Sequence, residues 1–342
     1  TWTRGRWTVR MGGLLGVGSV AVPGLCPDAT PHKQGSYAPV VNDSGRGVAL
    51  GAAAYLMWGL FPLYFPLLEP AGALEMLGHR IVWSTLTVGL LILLLRRRDS
   101  LLAVVRDRRA LRLLTFAAVA ISVNWGGYIY GVTHDRVVET ALGYFINPLV
   151  IVLMGVFVLG ERLRPLQWAA LGVAGVAVVV LTTAYGRPPW IAITLALSFA
   201  CYGLAKKKAS VGAVESLSVE TAVLAPVALG YLLLIGLGGT AEVGQHGVGH
   251  ALLFTTTGII TAIPLICFGA AATRVSMTTL GLLQYLAPIL QFLLGVLWFR
   301  EEMPAARWAG FVLVWVALVV FTVEALTHRR RQLALAAEAS AV

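Results

Sequence analysis

Ionisable and amide side chains interrupt the apolar stretches of this chain. An ionisable group in hydrocarbon costs several kcal/mol unless it faces a protein interior or a water path. Glu75, His79 and Arg80 open one such stretch, with Glu75 and His79 four residues apart and so on one helical face. A guanidinium buried there would meet an anionic solute or pair with Glu139, whereas the competing reading leaves all three near the headgroups, snorkelling. Glu139, Gly143 and Asn147 follow at four-residue steps and form a second stripe, with a gap at the glycine between two polar groups. Pro148 removes the amide hydrogen that would bond the Tyr144 carbonyl, and a freed carbonyl is tolerated in a membrane only where protein or a cavity satisfies it. Gln284, Pro288 and Gln291 repeat that arrangement without a charge, freeing the Gln284 carbonyl. Among these groups Glu139 is the favoured proton carrier. Asn124, beside Trp125, suits a hydrogen bond between helices; Glu220 reads as interfacial, and Glu324 as close enough to Arg329 to reach water.

The elements that must position these groups are membrane helices. Of 342 residues, 58% are hydrophobic and only 12% charged, with a mean hydropathy of +0.81; no soluble domain of this size needs so little charge. The net charge of +10 comes from short basic clusters between apolar stretches, which read as topology signals rather than as a nucleic-acid surface. Ten stretches approach the roughly 20 residues that a bilayer needs: 48–68, 74–95, 111–132, 137–159, 165–185, 189–205, 216–237, 250–271, 277–299 and 305–327. With the N-terminus inside, seventeen Lys and Arg residues from Arg46 onward fall in cytoplasmic segments and four (Arg136, Arg187, Arg300 and Arg307) in outer ones, so both termini are expected in the cytoplasm.

An internal repeat organises these spans. Pro148, Leu153, Gly155, Val156, Glu161, Trp168 and Ala169 reappear 140 positions later as Pro288, Leu293, Gly295, Val296, Glu301, Trp308 and Ala309. Five spans lie within that interval. An odd number turns the second copy upside down, as in many secondary transporters. A weaker echo matches Tyr55, Trp58 and Gly59 to Phe199, Tyr202 and Gly203 at an offset of 144. The expected fold is therefore all-α and integral to the membrane, with ten transmembrane helices as two inverted five-helix repeats, 48–185 and 189–327. Residues 1–47 read as a disordered tail and 328–342 as a cytoplasmic one. Glu161 and Glu301 read as caps for the fifth and tenth spans, and Gly172 and Gly175 as sites of close helix packing.

The three cysteines, Cys26, Cys201 and Cys267, share no short spacing, so neither a disulfide framework nor a metal site is expected. No metalloprotease, P-loop, dinucleotide or nucleophile-elbow motif occurs, and no cofactor is expected.

With these residues in view, the chain resembles the RarD-type branch of the EamA family in the drug/metabolite transporter superfamily. The resemblance runs from about Gly47 to Arg331. It is carried by Tyr55-x-x-Trp58-Gly59, Glu75-x-x-x-His79-Arg80, Asn124-Trp125, the run from Leu142 to Leu149, and Gly160-Glu161-Arg162. In the second half Tyr202-Gly203, Lys207-Lys208, Glu220-Thr221, Ala272-Thr273-Arg274 and Gln284-Tyr285 are also similar. The resemblance implies two inverted EamA repeats, an inner-membrane location and movement of small molecules, under a family label of chloramphenicol sensitivity.

The expectation is a plasma-membrane permease, not an enzyme, working by alternating access. Glu139, Tyr144, Asn147, Gln284, Gln291 and Asn124 would bind substrate or couple to it, Glu75, His79 and Arg80 would form an outer gate, and Pro148 and Pro288 would break their helices. Partners would be a small-molecule substrate, membrane lipid, a coupling proton and a second copy in a homodimer, with no nucleic acid. The alternatives are a translocator of sugar phosphates or nucleotide conjugates, which needs clustered cavity cations, and an intramembrane lipid-acting enzyme built on His79 and Glu75.

Overall fold

Backbone polar groups in hydrocarbon must bond within their own segment, and apolar runs of about 20 residues do so as helices. The computed structural model describes residues 41–340 apart from Glu161, Thr273 and Ser276, and every regular element among them is helical. In chain order these are α1 Val41–Gly59, α2 Phe61–Tyr64 with a following 3-10 turn Phe65–Leu68, α3 Ala73–Leu94 and α4 Arg98–Arg106. Then come α5 Arg108–Thr133, α6 Val137–Leu159, α7 Pro165–Tyr185, α8 Trp190–Ala209 and α9 Ala213–Leu237. The last are α10 Gly247–Ala272, α11 Met277–Leu283, α12 Leu286–Leu293 with a π-turn Leu294–Trp298, and α13 Ala305–Ser340.

Among the described residues eight helices are long and apolar enough to cross a membrane, or nine if α1 and the segment after it, bent by 42° at Leu60, count as one. Pro62 and Pro66 stand where that bend falls, each removing an amide donor. The sixth expected span corresponds to α8, a helix of 20 residues whose last turn carries Lys206, Lys207 and Lys208.

Several boundaries differ from expectation. Helix α1 begins at Val41, not at 48, and the rest of the predicted N-terminal tail lies outside the described residues. The predicted C-terminal tail continues α13 as helix to Ser340. The link between the second and third spans holds the short helix α4, which has an arginine at each end and no buried residue. Helix α6 runs unbroken through Pro148, because losing one hydrogen bond leaves the rest of the ladder intact. The Pro288 segment does divide into α11 and α12, and the interruption falls at Gln284 and Tyr285, where the proline withholds its donor.

Helix α7 packs on α13, α3 on α9 and α10, α5 on α8, α6 on α8 and α12, and α1 on α10 and α12. Gly143 is needed where α6 meets α8: a Cβ there would stand 2.9 Å from the Ala192 carbonyl oxygen. Gly172 and Gly175, in contrast, have open space around them among the described residues. Two apolar cores result, one around Leu142, Phe145, Leu181, Phe292 and Phe311, the other around Phe65, Met76, Tyr128, Leu195 and Phe254.

Candidate functional site

Arg80 lies on the second turn of α3 and is 3% exposed. Its Nε donates to Thr261 Oγ1 at 3.1 Å from α10, and that hydroxyl donates onward to the Thr257 carbonyl. The guanidinium carbon stands 4.1 Å from the Trp125 ring centroid, 5.4 Å from that of Phe61 and 5.7 Å from that of Phe65. Such ring contacts return about 2 kcal/mol when desolvated, less than burying a charge costs. Among the described residues no carboxylate forms an ion pair with Arg80. The phenols of Tyr64, Tyr128 and Tyr144 are close enough to feel its charge.

The expected outer triad is not one cluster. Glu75, 4% exposed, accepts from the amides of Glu242 at 3.0 Å and Val243 at 3.0 Å, which fastens α3 to the chain beyond α9. His79 packs its ring 4.8 Å from that of Phe254. No acid and base therefore converge there as a lipid-acting enzyme would need.

Glu139 does not reach Arg80. Its carboxylate, 1% exposed, takes Arg187 Nη2 at 2.7 Å and the Ile191 amide at 3.0 Å, so it neutralises one arginine and caps α8. The hydrogen bond to Glu139 raises the Arg187 pKa above its ordinary value. Glu301 caps a helix, but neither of those expected: its Oε1 accepts from the Val138 amide of α6 at 3.0 Å. Burial pushes Glu301 up to about 7, helped by Asp135 and opposed by the Val138 and Val137 amides and by Arg307. Its repeat counterpart Glu161 lies outside the described residues.

Asn124 ties three helices together, donating to the Leu195 carbonyl at 2.9 Å and to Ser198 at 3.1 Å, and accepting from Tyr144 at 3.1 Å. Asn147 on α6 and Gln291 on α12 are buried with Oδ1 and Oε1 lacking partners. Gln291 spends its amide donor on the Trp58 carbonyl at 3.2 Å. Gln284 is half-buried beside the break between α11 and α12.

The chain as sequence hid two further ties. Glu220 is buried within the protein: it is 1% exposed, bonded to Ser216, 3.3 Å from Tyr202 Oη and 3.4 Å from Lys206 Nζ. Glu324 does not reach water near Arg329 but pairs with Arg164 at 2.6 Å, its side chain 8% exposed. The signal for the first was available: the 140-residue offset carries Glu75 onto Glu215 and Arg80 onto Glu220. Glu215 in turn takes Arg97 at 3.1 Å and Ser100 at 3.0 Å at the opposite ends of these helices.

The sequence is also similar to known proteins. The profile of the EamA-like transporter family matches residues 45–183. Protein RarD of Streptomyces exfoliatus is 57% identical over 290 residues, 85% of this chain and 92% of its own length. The chain belongs to the RarD-type branch of the EamA family. Protein RarD of Escherichia coli (strain K12) is 41% identical over 84% of this chain and 97% of that protein. A solved structure titled "Crystal structure of protein" shares the fold at a TM-score of 0.53 and 20% identity, covering 81% of this chain and 97% of its own. As an EamA protein of RarD type this chain is a multi-pass membrane transporter and not an enzyme.

Proposed function

We propose that this RarD-type protein is a secondary transporter of the plasma membrane, both termini cytoplasmic, that moves a small solute by alternating access between two inverted five-helix repeats. The observation that carries the reading is the way repeat-equivalent helices meet. Helices α3 and α9 join start to end at Glu75 and the Glu242 amide, α6 and the π-turn segment at Val138 and Glu301, and α7 and α13 at Arg164 and Glu324. Each pair is antiparallel, as a two-fold axis in the membrane plane requires. Counting ten spans takes the bent α1 segment and α8 as one span each.

The binding region is assigned to the polar interior where the copies differ. Asn147 stands against Ala287 in the repeat and Gln291 against Ile151, and each has a buried carbonyl oxygen free for a ligand. Arg80, Trp125 and Tyr128 complete it. Glu139 is better assigned to outer closure through Arg187, and Glu301, held by amides alone, becomes the carboxylate for a coupling proton. In alternating access Asn147 must face each side in turn. An Asn147→Cys variant should therefore react with an impermeant thiol reagent from both faces, and reaction from one face alone would refute the reading.

A further inference from the structure

We propose that Arg80 receives the anionic group of the transported solute, and that this solute is a small monoanion, an organic carboxylate with a flat or aromatic body. The inference rests on the transporter reading above and specifies its substrate.

Charge compensation at the two repeat-equivalent positions carries the argument. Glu220 has Lys206 at 3.4 Å and hydroxyls of Ser216 and Tyr202 around it, so its charge is answered within the protein. Arg80, at the same depth in the inverted copy, has rings and one threonine. The offset of 144 that relates the first and sixth spans puts Pro62 where Lys206 stands in the second half, so no side chain there can supply the counter-charge. A buried charge without a partner costs several kcal/mol and is retained where it meets a ligand.

The donors left over define the ligand. Thr261 uses Nε, and no acceptor among the described residues takes the two terminal guanidinium nitrogens. That fork matches the two oxygens of a carboxylate. Ser84, one turn along α3, and Tyr128 each bury a hydroxyl with no partner, at 0% and 3% exposure. The rings of Trp125, Phe61 and Phe65 frame the cation and favour a planar body. One uncompensated cation balances one negative charge, and a phosphate dianion would leave the interior negative.

The test uses the detergent-purified full-length protein, with sodium benzoate as probe and benzamide and phenyl phosphate as controls, read by tryptophan fluorescence and thermal unfolding. Benzoate should bind saturably and raise the unfolding midpoint, whereas benzamide and phenyl phosphate should bind at least tenfold more weakly. Arg80→Lys keeps the charge and loses the fork, so it should melt as the parent does yet weaken benzoate about tenfold; Arg80→Gln should abolish binding. No benzoate binding to the parent, equal binding of benzamide or phenyl phosphate, or unchanged binding in Arg80→Lys would each overturn the proposal. Vesicles that exchange neutral solutes equally well with Arg80→Lys would overturn it and leave the transporter reading intact. Arg80-dependent benzoate binding without any vesicle transport would sustain the anion site and sink the transporter reading.

Discussion

Arg187→Ala should destabilise the protein far more than Glu139→Gln, although both remove the same ion pair. Glu139 is 1% exposed while the Arg187 side chain is 32% exposed. Removing the arginine strands a carboxylate in the interior. Breaking a buried pair from one side costs about 3–5 kcal/mol, and the remaining bond from the Ile191 amide puts this case near the lower end, at about 3 kcal/mol. Glu139→Gln keeps an oxygen for that amide and leaves an arginine that water can reach, so the loss is about 1 kcal/mol. At about 2–4 °C per kcal/mol the midpoint should fall by about 6–12 °C for Arg187→Ala and by about 2–4 °C for Glu139→Gln. The double variant should recover most of the difference, since the stranded charge is gone. Thermal unfolding of the four proteins in one detergent at pH 8 measures all of this. Equal losses in the two single variants would refute the argument, and so would a double variant as unstable as Arg187→Ala.

Three further variants test the burial of Glu301 and the packing of the helices. Burial raises Glu301 to about 7 from an ordinary value of 4.5, so the folded state holds its proton more tightly than the unfolded chain; the stabilisation is present in full below pH 4.5 and is lost as pH rises through 7. Glu301→Gln should therefore flatten the midpoint between pH 5 and 8, removing a slope worth of order 2 kcal/mol; an unchanged profile would show that Glu301 does not titrate there. Gly258→Ala should cost about 1–3 kcal/mol, because a Cβ would run into the Trp83 backbone and the Thr87 hydroxyl where α10 crosses α3. Gly175→Ala, with open space around it, should shift stability by less than about 1 kcal/mol on the same assay.

The helices were legible because hydropathy acts locally: a bilayer-length apolar run such as 137–159 must bond its own backbone wherever it packs. Pro288 was legible for a similar reason, since its missing donor acts only four residues away, at the point where α11 ends. The partners of the carboxylates were not. Glu139 lies three residues into α6 and nothing local says that Arg187, 48 residues on, will lie against it. Glu220 looked interfacial from its place near the start of the expected span 216–237, and nothing local says that Ser216, Tyr202 and Lys206 enclose it. The offset that revealed the repeat held part of that answer, since it equates Arg80 with Glu220 and so marks two charges at matching depth. What it could not give is that a lysine answers one of them and nothing in the described chain answers the other.

The central claim is that the polar interior opens to each side of the membrane in turn. The most direct measurement places one cysteine at Asn147, with Cys26, Cys201 and Cys267 replaced by serine, and follows its reaction with a membrane-impermeant maleimide in right-side-out and inside-out vesicles. Alternating access predicts labelling in both preparations, slower in each than for a cysteine at an exposed loop position. Labelling confined to one preparation, with the other silent at any reagent concentration, would contradict the account.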